Sequence, residues 1–230
     1  MIELIQTYLP NVYQLGWGGD NGWGTAIYYT LYMTFIPFII GGSVGLAVGL
    51  LLVMTAPQGV LENKYIYWIL DKIISIFRAI PFIILLAIMF PIALLLVNSV
   101  IGPDVANISL SVAVFAFFVR QVQVVLSELD KGVIEAAQAS GATTWDIVLI
   151  YITEGLPDII RVSTVTIISL VGETAMAGAI GAGGLGHVAI SYGYNRYNND
   201  VTWVATICIL LIIFGVQFLG DFLTKKINHK

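Results

Sequence analysis

Apolar residues come in long blocks along this chain, with polar residues gathered between them. Residues 21–61, 79–103 and 201–220 contain no Asp, Glu, Lys or Arg. Each block can supply the roughly 20 apolar residues that carry a helix across a bilayer. Two further apolar stretches hold a charge in their interior, Arg120 in one and Glu173 in the other. The pattern predicts an all-α integral membrane protein with about five spans, at residues 25–54, 74–98, 106–127, 158–178 and 201–223. If the two charged stretches are not spans, three remain and residues 104–200 become one domain on the inner side, a segment too apolar to make that attractive. Gly41, Gly45 and Gly49 recur every four residues in the first span, so they share one face and admit a neighbouring helix closely. Ala175, Ala179 and Gly183 repeat that spacing in the fourth span, and Pro37 is expected to bend the first.

Loop charges give the spans a direction, because short cytoplasmic loops collect Lys and Arg. Five spans with the N-terminus outside put Lys64, Lys72, Arg78, Arg120, Lys131, Arg161, Lys225, Lys226 and Lys230 on the cytoplasmic side and leave Arg196 outside. The expected layout is an extracytoplasmic segment at 1–24, a single transmembrane domain at 25–223 with a cytoplasmic loop at 128–157, and a cytoplasmic tail at 224–230. Residues 1–24 contain no Lys or Arg and end in a Gly-rich polar run, unlike a secretory signal, so the first apolar segment is expected to stay as an anchor.

Composition agrees with the pattern. The 230 residues are 58% hydrophobic and 10% charged, against roughly 25% charged in a soluble domain. A net charge of −4 with no basic block sets nucleic acid aside as a partner. Cys208 is the single cysteine and lies in the last apolar block, so no intrachain disulfide or cysteine-ligated zinc can form. Gly41-Gly42-Ser43-Val44-Gly45 fits the G-x-S-x-G pattern of a nucleophile elbow, and His187 is the one non-terminal histidine. That pattern sits inside a continuous apolar span instead of at a strand-to-helix turn, which argues against an intramembrane protease using Ser43 and His187. No G-x-x-x-x-G-K-[ST] segment is present, so nucleotide hydrolysis is not expected in this chain. A secondary carrier or a membrane scaffold would also explain the spans.

Those readings leave the polar stretch 128–158 unexplained. Gly132 and Gly141 divide it into short pieces, and Thr144 before Trp145 and Asp146 is placed to cap a further helix. The pattern suggests a helix, a sharp turn at Gly141 and a second helix lying along the membrane surface. Glu135-Ala136-Ala137, three residues and then Gly141 resembles the EAA motif of type I ABC importer permeases, with Arg120, Gly132 and Leu156-Pro157 near the family's comparable positions. Ile76 to Phe82 (Ile-Phe-Arg-Ala-Ile-Pro-Phe), Leu170-Val171-Gly172 and the run from Ala175 to Gly186 are similar to the methionine-uptake branch. The resemblance covers roughly residues 25–223.

The resemblance implies a permease subunit that works as a homodimer with two ATPase subunits and an extracytoplasmic substrate-binding protein, in a bacterial inner membrane. It also implies that the chain carries no cofactor, ATP and Mg2+ being held by the ATPase, and that the cargo is methionine, another amino acid or a small peptide. Glu135, Ala136, Ala137, Gly141, Ala142, Thr143 and Trp145 become the expected coupling residues, with small alanines permitting close docking and Glu135 capping or pairing locally. Glu173 stands twelve residues beyond Arg161, about 18 Å along a helix, and an ionisable group at that depth usually faces a cavity or a partner. It is expected either to line the translocation path or to be a hydrogen-bonded carboxyl between helices. Met176 follows on nearly the same face as a gate or as packing, and Gly181–Gly186 is read as a hinge or as close-packed backbone. Tyr194, Arg196 and Tyr197 lie in a polar aromatic loop that would dock the binding protein or form an interfacial belt.

Overall fold

The computed structural model describes residues 6–227. The first five residues of the N-terminal segment, and His229 and Lys230 of the tail, lie outside the described residues. Ten α-helices follow one another among the described residues, and no strand is present there. They are α1 (Pro10–Leu15), α2 (Trp23–Pro37), α3 (Ser43–Thr55), α4 (Lys64–Ala79), α5 (Phe82–Val97), α6 (Pro103–Ser127), α7 (Lys131–Ala139), α8 (Thr144–Ala177), α9 (Gly184–His187) and α10 (Asn199–Ile227). One π turn, Phe38–Gly42, follows Pro37 and joins α2 to α3. Another, Gly178–Ala182, ends α8. Four helices are long and apolar enough to cross a membrane: Trp23–Thr55, Pro103–Ser127, Thr144–Ala182 and Asn199–Ile227.

The predicted second span, 74–98, needs correction. Residues 74–79 belong to α4, which meets α5 at an angle of 106°. Pro81 causes the break: the residue before a proline is forced out of helical geometry, and Ile80 is extended at φ −80°, ψ 120°. Asn63 opens α4 by accepting hydrogen bonds from the amides of Tyr65 and Ile66, each at 3.1 Å. Its polar positions include Lys64, Asp71, Lys72 and Arg78, and α4 and α5 are long and apolar enough to cross only when taken together, as a pair bent at Pro81. Arg120, halfway between a loop charge and a buried one, explains how α4 is held. Its guanidinium donates to Asp71 (2.7 Å) and Ser75 (3.2 Å) of α4 and to Gln123 (2.7 Å), and Gln123 donates in turn to Tyr67 at 3.4 Å.

Helix α6 is the centre of the bundle. Leu110, Val114, Phe118, Val122 and Leu126 are buried on it and join a core shared with Met33, Leu50, Val53, Tyr151, Ile159 and Leu170. Between helices in lipid the hydrophobic effect gives little attraction, because the alternative surroundings are equally apolar, and close packing takes over. The glycine stripe of the first span serves this packing as predicted. A Cβ on Gly41 would stand 2.2 Å from the Ser111 carbonyl oxygen, and one on Gly49 would stand 2.8 Å from Val122.

The matching stripe predicted for the fourth span does not form. The helix ends before Gly183, whose φ of +89° takes the chain out of it, and Gly181 and Gly184 also adopt positive φ. The chain doubles back instead, and Gly186 packs against Ala175, where a Cβ would come 2.4 Å from the Cα. The N-terminal segment is fixed to the same end of the bundle. Asp200, at the start of α10, accepts hydrogen bonds from the amide (3.1 Å) and side chain (3.0 Å) of Asn11. Trp23 Nε1 donates to the Val12 carbonyl at 3.0 Å.

Gly41 and Gly45, two of the three glycines on the α6-facing stripe, both gain helix propensity as alanine, so a difference between them isolates packing. Gly41→Ala meets backbone that cannot yield and is expected to lower stability by about 1–3 kcal/mol. Gly45→Ala, whose Cβ would meet its neighbours at 3.3 Å, should cost distinctly less. Thermal unfolding of the two purified variants in one detergent measures the difference.

Candidate functional site

The EAA segment forms α7. Asp130 starts it, its carboxylate accepting from the Gly132 amide at 2.8 Å. Ile134 is the buried residue of this helix, 8% exposed, and belongs to the main core. Glu135 and Ala136 are exposed, and Ala137 is turned partly inward. Lys131 reaches back to the turn after α3, donating to Gln58 Oε1 at 3.2 Å. The helix thus lies against the bundle by one side and presents the other freely. No hydrogen bond or ion pair reaches the Glu135 carboxylate among the described residues, so the expected local cap is not formed by it.

Gly141 makes the turn at φ +80°, in the left-handed region that suits glycine. Ala142, partly buried against the core, follows, and its amide donates to the Ala137 carbonyl at 3.1 Å. The cap of the next helix is Thr143 and not Thr144. The Asp146 amide donates to Thr143 Oγ1 at 3.3 Å, and Asp146 accepts from the Thr143 amide (2.8 Å) and hydroxyl (2.7 Å), a reciprocal capping box. Trp145 projects outward, 67% exposed.

The second helix predicted along the membrane surface is also corrected. From Thr144 the chain runs as one helix through Pro157 to Ala177, 34 residues, or about 50 Å. Leu156-Pro157, at the predicted end of the cytoplasmic loop, therefore lies inside α8. The continuous rod joins the EAA turn at one end to Glu173 and Met176 at the other.

Glu173 and Met176 do not share one lining. Glu173 borders a cavity of about 360 Å3 with Phe77, Arg78, Phe82, Ala113 and Phe117 among its walls, and its Oε2 is buried with no hydrogen-bond partner. Met176 is 43% exposed outside that cavity. It continues a stripe of exposed positions on α8, Val165, Ser169 and Gly172, spaced as one helix face. Arg78, counted above with the loop charges, stands at the break before α5, level with the middle of α6. Sequence reasoning missed that it lines the same cavity as Glu173, since ninety-five positions separate them; the signal available was a cation three residues before a proline. It also passed over Ile134, an apolar residue in a polar stretch.

At the far end of α8, Tyr194 and Tyr197 are exposed, and the Arg196 guanidinium lies 4.3 Å from the centre of the Tyr192 ring. Gly181–Gly186 is close-packed backbone, with the Leu185 amide donating to Thr30 Oγ1 at 2.8 Å. Ser43 and His187 have separate partners. The serine donates to the Ile39 carbonyl, whereas His187 Nδ1 lies 3.2 Å from the Gly178 carbonyl and 3.1 Å from Ser191.

The sequence model of the family described as "Binding-protein-dependent transport system inner membrane component" matches residues 45–229, spanning every feature from α3 onward. The chain belongs to this family of transport-system membrane components. The permease is 44% identical over 212 residues to the "Probable D-methionine transport system permease protein MetI" of Haemophilus influenzae, covering 90% of this chain and 100% of the relative. It is 42% identical over 228 residues to the "Methionine import system permease protein MetP" of Bacillus subtilis, covering 99% and 100%. A solved structure of the MetNI methionine ABC transporter, inward facing, superposes with a TM-score of 0.88 at 38% identity, covering 90% of this chain and 96% of that one. The fold is that of a type I ABC importer permease.

A side chain at Gly141 costs about 1–2 kcal/mol in the left-handed region. Gly141→Ala in the permease should therefore loosen residues 131–143 without altering the bundle. Hydrogen exchange should show faster amide exchange confined to that segment.

Proposed function

We propose that the permease forms a homodimeric pore importing methionine or a close amino acid, driven by two ATPase subunits that grip α7 and supplied by an extracytoplasmic binding protein. The carrying observation is the form of α7: one face is rooted in the core through Ile134, and the other presents Glu135 and Ala136 unpaired. Such a helix receives force from a partner and passes it into the bundle. Gly141, Ala142 and Thr143 fix its angle to α8, and Trp145 adds an apolar edge to the docking face. ATP and Mg2+ act on the ATPase; this chain supplies motion. The methionine assignment draws on the names of the relatives, which match over nearly the whole chain.

The exposed α8 stripe of Val165, Ser169, Gly172 and Met176 supports a second copy across a shared axis, with small residues permitting close approach. In this reading Glu173 lines the translocation path and Met176 gates it, its flexible thioether suiting a narrow apolar constriction. The Lys and Arg distribution supports placing α7 and the C-terminus in the cytoplasm and the N-terminus outside. Tyr194, Arg196 and Tyr197 then face the binding protein, at the end of the bundle opposite α7.

The test is reconstitution of the permease with its ATPase and binding protein in vesicles. Labelled methionine should accumulate only when ATP is present on the α7 side. Ala136→Trp fills the docking face and should abolish both co-purification of the ATPase and uptake, and Arg196→Glu should weaken binding-protein docking while the ATPase stays bound. Uptake that continues without ATP, or with the ATPase lost from the Ala136→Trp complex, contradicts the assignment.

A further inference from the structure

Glu173, partly buried, and Arg78, an exposed residue, line the same cavity, and among the described residues neither forms an ion pair. Ionisable groups inside a membrane protein are expensive and normally pair with one another or face a polar ligand. Here Asp71 and Arg120 show what pairing looks like in the same bundle, at 2.7 Å. The cavity that Arg78 and Glu173 both line measures about 360 Å3, within the size range of small-molecule sites. Its other walls are largely apolar, with the rings of Phe77, Phe82 and Phe117. Ala113 and Phe117 place it halfway along α6, and Pro81 at the helix break is among its walls.

We propose that this cavity is an intramembrane binding site for a zwitterionic α-amino acid with an apolar side chain. Glu173 receives the ammonium group, Arg78 the carboxylate, and the phenylalanine rings the side chain. The site rests on the amino-acid import reading but goes beyond it, since it assigns each end of the cargo to a residue of this chain. A single charge would select an amine or an acid. Two unpaired opposite charges on an otherwise apolar wall select a molecule that carries both.

The test uses the permease–ATPase complex in lipid nanodiscs and a diazirine-bearing methionine analogue as photolabel. Label should enter the peptide containing Phe77 and Phe82 or that containing Ala113 and Phe117. Methionine should compete better than N-acetylmethionine, which lacks the ammonium charge, and better than methioninol, which lacks the carboxylate. Charge-assisted hydrogen bonds make each preference about tenfold or more. Glu173→Gln should erase the preference over N-acetylmethionine alone, and Arg78→Gln the preference over methioninol alone. Glu173→Asp and Arg78→Lys should retain both. A purely structural role would weaken all competitors equally in either neutral variant, so equal weakening, unchanged preferences or label elsewhere in the chain each overturn the site. Methionine uptake by the unaltered complex is measured alongside. If uptake is absent and a diazirine-bearing leucine analogue labels the cavity with the same two preferences, the cargo assignment fails and the site stands; if neither analogue labels it, the site fails.

Discussion

Ile134 is the buried point of attachment of α7, and the proposed coupling depends on it. Its side chain enters the same core as Leu126 and Val122 of α6 and Ile147, Tyr151 and Ile159 of α8. A displacement of α7 therefore reaches two long helices at once. Because close-packed interiors deform little and transmit strain, a push at Ala136 becomes a shift of the lower bundle instead of being absorbed in a loop. The turn at Gly141 and the Thr143–Asp146 capping box keep α7 from swinging independently of α8. The uninterrupted α8, about 50 Å long, links that turn to Glu173 and the Gly178–Ala182 turn and is the path the proposed motion would take.

Polar contacts have special weight in this setting, because lipid offers apolar side chains no penalty for exposure. The bundle is held by the fit of Gly41, Gly45 and Gly49 against α6 and by the Arg120 cluster that binds α4. The cluster also explains why a cation is tolerated inside a span: its two terminal nitrogens donate to Asp71, Ser75 and Gln123 from two helices, while Nε is buried without a partner. Against that background the unpaired Glu173 and Arg78 stand apart. One group of charges builds the scaffold, and the other is left facing a cavity.

Much of this was legible in the residues. The charge-free blocks marked the first and last spans, the every-fourth glycine marked the α6 contact, and the stretch around Glu135-Ala136-Ala137 and Gly141 marked the short helix and turn before α8. The misreadings have common physical causes. Hydropathy sees composition and not direction, so a charge-free block beginning at residue 79 concealed the break at Pro81 and merged part of α4 with α5. Polar residues at 143–158 suggested a surface helix, when they are the lower turns of a rod longer than the membrane is thick. Thr143 and Thr144 are equivalent as caps until the geometry of Asp146 is known. That Arg78 and Glu173 line one cavity depends on how α4, α6 and α8 cross, which no local pattern encodes.

The central claim is that the free face of α7 meets the ATPase from the cytoplasm and moves with it. Ala136→Cys in a Cys208→Ala background, in intact cells and in inverted vesicles, tests it most directly. The account predicts that a membrane-impermeant maleimide labels residue 136 only in inverted vesicles, and that a short bifunctional reagent joins it to the ATPase with a yield that changes when ATP is added. Labelling of residue 136 from outside intact cells would contradict it.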